Sequence, residues 1–255
     1  MTSLFSAFTP EDLAAAFAVA LVAGTVKGLV GFAMPMILIS GLSMFMPPDM
    51  ALAGLILPTL VTNGMQALRQ GVGAALQSMK RFRLFLLVGL VFLLTSAQLV
   101  RVLPQEALLL IIGIPVSLFA LTQLMGKQLT LSKPTRRSEA LVGGFAGFIG
   151  GVSGIWGPPT VAYLTALGTE KSEQIRVQGV IYGMGAVALL FGHIASGVVS
   201  SETAPFSVAL ILPAVLGMWI GGRLHDRIDQ AAFRRVTLIV LLVAGLNLLR
   251  RALML

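Results

Sequence analysis

Lys27 is a lone cation inside an otherwise uncharged run, Leu13 to Met46, of a 255-residue chain. Within a membrane-length run an ionisable side chain is a functional candidate, because its charge is expensive to hold in hydrocarbon. Its ammonium would neutralise a bound anion; the competing reading is a side chain that snorkels to the interface. Lying fourteen residues past Leu13, it is expected to be deep. The surrounding stretch "VAGTVKGLVGFAMPMI" (22–37) mixes glycines with Pro35, and "GGFAGFIGGVSGIWGPPT" (143–160) carries seven glycines and two prolines. In a helix interior glycine costs about 1 and proline about 3 kcal/mol relative to alanine, so both stretches predict interrupted helices. A helix that starts inside a membrane presents unpaired N–H groups and the positive end of its dipole, which an anion satisfies. In that reading Gly28, Gly31, Gly151, Gly154 and Gly157 let the backbone approach a ligand, while Pro35 and Pro158–Pro159 each open a second half-helix. The alternative for the glycines is packing, since Gly24 and Gly28, and Gly143, Gly147 and Gly151, recur every four residues.

Other polar residues fall in the apolar runs. His193 could donate to an anion, carry a proton, or simply bond a neighbouring carbonyl. Asn63, Gln66, Gln178 and Tyr182 lie in the runs after each interrupted stretch and could bond either a ligand or another helix. Ser153 could contact an anion, and Trp156 could wall a pocket; Met44, Met46 and Met50 are given no role. No Asp or Glu falls in mid-run, so a carboxylate proton relay is not expected. The chain has no cysteine, which excludes disulfides, thiolate chemistry and cysteine metal sites. No metal and no cofactor are expected beyond a coupling ion, H+ or Na+.

These residues need elements to position them. Hydrophobic residues make up 56% of the chain and charged ones 11%, with a mean hydropathy of +0.93. Uncharged runs at 50–68, 84–100, 107–125, 177–201 and 203–222 each approach the roughly 20 residues that span a bilayer. A shorter run, 236–249, is extended by 231–233. The fold class is an all-α polytopic membrane protein, one domain over 1–255. The N-terminus lacks the basic flank and cleavage site of a signal peptide, so Leu13 onward is expected in the mature protein. The net charge of +8 sits in short clusters beside apolar runs, which is a membrane-topology signature and argues against nucleic-acid binding.

An offset of 123 places Ala23, Gly24, Gly28, Gly31 and Pro35 on Ala146, Gly147, Gly151, Gly154 and Pro158. The chain therefore reads as two repeats, 11–126 and 138–255, each a broken segment followed by three spans. If each broken segment enters and returns on one side, fourteen Lys/Arg lie on one face and three on the other, with Lys27 uncounted. A single crossing for each would give ten against seven. The re-entrant arrangement is favoured, and it makes the repeats inverted, the usual construction of secondary transporters.

The paired "AGTVKGLVGFAMP" and "AGFIGGVSGIWGPP", with the "PPDMALAG" that follows the first, resemble the TauE/SafE family of bacterial sulfite and sulfonate exporters. The resemblance covers nearly the whole chain. It implies a multi-pass protein of the bacterial cytoplasmic (inner) membrane, not an enzyme, that exports a small sulfur-containing anion such as sulfite or sulfoacetate. Its partners would be that anion and the lipid bilayer. Two other readings stand beside it. One is a passive anion channel; the other is an intramembrane serine protease built on "GVSG" and His193, whose chemistry would need Ser153 within hydrogen-bond reach of that histidine.

Overall fold

The apolar runs fold as helices. The computed structural model describes residues 9–96, 104–127, 130–131, 135–153, 156–195 and 197–254, and among these it holds eleven α-helices and no strand. In chain order they are α1 (Pro10–Val30), α2 (Met34–Leu42), α3 (Pro48–Leu68), α4 (Val72–Arg81), α5 (Arg83–Ser96) and α6 (Gln105–Leu124). The second half holds α7 (Arg136–Ser153), α8 (Gly157–Ala166), α9 (Lys171–Ala195), α10 (Ala204–Arg227) and α11 (Gln230–Leu253). Five of these, α1, α3, α9, α10 and α11, contain stretches long and apolar enough to cross a membrane. Val22, Leu87, Leu212 and Val243 stay exposed on the helices, as lipid contact allows.

The boundaries differ from the sequence reading in instructive places. α9 starts at Lys171, six residues before the expected run, because Glu173 and Arg176 find partners in Arg81 and Ser78 and the helix continues through them. α4 was not expected at all. α1 keeps its helix through Gly24 and Gly28 and ends only at Val30. Its 21 residues reach about 31 Å, so the first break comes after a helix about as long as a hydrocarbon core is thick.

Both broken segments do turn back. A side chain added at Gly41 near the end of α2 would meet Val19 of α1, so α2 runs back along α1. In the second segment Gly143 of α7 abuts the Phe85 backbone, and Tyr163 of α8 stacks on the Phe85 ring at 6.1 Å. α8 has therefore returned to the level of the first half of α7.

Two compact units form, one from Met1–Gly71 with Gln178–Ile228, the other from Val72–Val177 with Asp229–Leu255, so the boundary falls within α9. Each takes helices from both halves of the sequence. In the first, α1 packs along α10 in the same direction: Gly24 lies under the Ala214 carbonyl, Gly28 under Met218, Gly217 under Leu21 and Gly221 under Thr25. In the second, α7 packs along α5, with Gly143 against Phe85 and Gly147 against Gly89. Each contact is too close to admit a Cβ, which is how small residues four apart join membrane helices. Elsewhere in the first unit Pro58 withholds an N–H from α3 and frees the Gly54 carbonyl. Ser207 of α10 answers, donating to that carbonyl at 3.4 Å and accepting from Leu57 N–H at 3.1 Å.

Gly24→Leu and Gly147→Leu should each destabilise by about 3 kcal/mol or more through overpacking. Gly64→Ala, in open space on α3, should instead be neutral or stabilising by about 0.5 kcal/mol. Thermal unfolding of the detergent-purified protein measures all three, and a wild-type midpoint for both leucine variants would refute the close crossings.

Candidate functional site at the first helix break

The break between α1 and α2 is three residues long, and its backbone explains the residues found there. Gly31 ends α1 in the left-handed region at φ 88°, its N–H closing on the Lys27 carbonyl at 2.7 Å. A side chain there would be strained and would also strike the Gln178 amide, so only glycine fits. Ala33 is left-handed too, at φ 71°, without a glycine's freedom. Pro35 then occupies the first turn of α2, where its missing N–H costs nothing.

Three carbonyls at the break, those of Leu29, Val30 and Gly31, are served by protein side chains. Gln66 Nε2 donates to the Gly31 carbonyl at 3.0 Å. Gln178, with its amide nitrogen turned to the carbonyls, donates to Gly31 at 2.8 Å and to Val30 at 3.2 Å. His225 Nδ1, in the tautomer that carries the proton there, reaches the Leu29 carbonyl at 3.2 Å. The donor side is treated oppositely. The N–H groups of Phe32, Ala33, Met34 and Met36 have no partner among the described residues. Phe32, Ala33 and Met34 are all buried.

Lys27 stands one turn before this opening, in the last turn of α1, with only 2% of its surface exposed. Neighbouring protein buries it. Its ammonium is hydrogen-bonded to Asn63 Oδ1, a neutral acceptor, and no carboxylate pairs with it among the described residues. Asp226, near the end of α10, pairs with Arg69 at 2.6 Å. A buried lysine thus lies one turn before the break, four N–H groups there have no partner among the described residues, and side chains serve the carbonyls of Leu29, Val30 and Gly31. Uncovered N–H groups at the start of a helix suit an anion.

Lys27, Gly31, Pro35, Asn63 and Gln178 therefore come together, and Gln66 joins them. Gly28 is committed to the α10 crossing. His193 does not join: it lies in the last turn of α9, half-buried, about 22 Å along the helix from Gln178. His225 was overlooked in the sequence, although 217, 221 and 225 form the every-fourth row of α10 that meets α1. The second break belongs to the other unit. Gly151 lies in α7, Ser153 is its last residue, and Gly154 falls outside the described residues. Gly157 and Pro158 open α8 as expected. Trp156 packs against Gly150, whose added side chain would strike the indole. The offset of 123 puts Gly150 on Lys27 and Trp156 on Ala33, so an indole lies beside the position that a cation holds in the first half.

A family model described as Sulfite exporter TauE/SafE matches residues 16–248. No curated protein and no solved structure shows significant similarity to the chain.

Ala33→Gly should raise stability by about 0.5–1 kcal/mol by relieving the left-handed alanine. Gln178→Leu, which strips a donor from two buried carbonyls, should lower it by about 1–3 kcal/mol. Chemical or thermal unfolding of the two variants checks both signs; a destabilised Ala33→Gly would contradict the backbone described.

Proposed function

The chain belongs to the sulfite exporter TauE/SafE family, and we propose that its first helix break holds a small sulfur-containing anion during export. Family membership and the membrane-length helices make it a multi-pass membrane transporter. The observation that carries the binding assignment is Lys27, 98% buried one turn before the break, with a neutral oxygen as its partner. Such a charge costs several kcal/mol to bury unless a counter-charge joins it. A sulfite or sulfonate supplies that charge and three acceptor oxygens for the donors of residues 32–36. The carbonyls of Leu29, Val30 and Gly31 already accept, so we place no coupling sodium ion here.

The anion crosses, in this account, by alternating access between inverted repeats in the bacterial inner membrane. Helix directions support the inversion. α9 is the counterpart of α3 and runs antiparallel to it, with Gly179 against Ala67 and Gly183 near Asn63. In the other unit α6 and its counterpart α11 are likewise antiparallel, Gly113 meeting Gly245 and Gln123 meeting Arg234. The partners are also exchanged: α1 packs on α10 while α7 packs on α5. We assign the second break, Gly151 to Pro158, to a matching tip without a cation of its own.

Lys27→Met keeps the length and apolar stem but removes the charge. A charge-assisted hydrogen bond is worth about 1.5–3 kcal/mol, so labelled sulfite or sulfonate flux into proteoliposomes should fall roughly 10- to 150-fold. Unchanged flux from a folded Lys27→Met protein would overturn the assignment.

A further inference from the structure

α4 is a ten-residue helix, about 15 Å long and too short to cross a membrane. It follows α3 in the chain and precedes the apolar α5, so it belongs at a membrane boundary. One side, Ala75 and Ser78 with Phe82 just beyond, is buried in the protein. Next to that side runs an apolar stripe at i, i+4 and i+7: Val72 is 61% exposed, Leu76 50% and Met79 38%. Flanking the stripe are Lys80 and, at the start of α5, Arg83, both exposed and without an ion pair among the described residues. Two other cations beside α4 are engaged. Arg81 pairs with Glu173 and lies over the Phe82 ring at 5.4 Å, and Arg176 Nε donates to Ser78 Oγ at 2.8 Å. These contacts fix which face α4 turns outward.

We propose that Val72, Leu76, Met79, Lys80 and Arg83 form a docking surface for anionic phospholipid at the membrane–water interface. The stripe enters the acyl boundary, and the two cations meet headgroup phosphates. The short length, the fixed orientation and the pairing of an apolar stripe with unpaired cations match a helix lying in the interface plane. A zwitterionic lipid would satisfy the stripe but give the cations little net attraction. Each cation beside an anionic surface is worth about fivefold in affinity.

Thermal unfolding of the full-length protein in detergent, titrated with phosphatidylglycerol or phosphatidylcholine micelles, tests this. Wild type should be stabilised at a half-saturating phosphatidylglycerol concentration roughly tenfold or more below that of phosphatidylcholine. The Lys80→Gln/Arg83→Gln variant should unfold at the wild-type temperature without lipid and lose that preference. Leu76→Ser should weaken the response to both lipids. A double variant that keeps the preference would overturn the proposal. So would an equal stabilisation by inorganic phosphate, which would indicate a free-anion site.

Discussion

A main chain that stops being helical inside a membrane protein leaves carbonyls behind the break and amide hydrogens ahead of it. Hydrocarbon satisfies neither. At the first break two glutamines and a histidine serve the carbonyls of residues 29–31, and four N–H groups have no partner among the described residues. Lys27 adds a charge to the same side of the ledger, held by an amide oxygen that cannot neutralise it. The anion binding we propose rests on those donors and on the Lys27 ammonium.

The position of Lys27 depends in turn on the α1–α10 crossing. Interlocked glycines bring the two backbones together, and the same row of α10 that carries Gly217 and Gly221 ends at His225, which caps α1. Packing and binding are consecutive stretches of one helix, not rival uses of its glycines. Gly24 and Gly28 lock the helix, and Gly31 ends it. The α7–α5 crossing repeats the device in the other unit, yet there Trp156 packs over the position equivalent to Lys27. The two halves share an architecture and differ in chemistry.

Much of this was legible in the residues. Glycine and proline spacing gave both breaks and the starts of α2 and α8, because backbone strain is a local property. The lone charge of Lys27 pointed to a residue that the fold buries one turn before the first break. What could not be read was which polar side chain meets which backbone group. Asn63, Gln66 and Gln178 were ambiguous between ligand and helix contacts; α3 and α9 place the two glutamines on the carbonyls of the break and Asn63 on Lys27. The same ambiguity hid His225 and lent His193 a prominence that its place at the end of α9 does not support. α4 escaped notice because ten residues of near-neutral mean character resemble a polar connection until their faces are separated.

Selenite, the heavier analogue of sulfite, offers the most direct view of the break. Anomalous diffraction from selenite-soaked crystals should place selenium within hydrogen-bonding reach of Lys27 Nζ and the main-chain N–H groups of residues 32–36. Selenium bound elsewhere, with Lys27 still joined to Asn63 alone and the amide hydrogens still bare, would contradict the account.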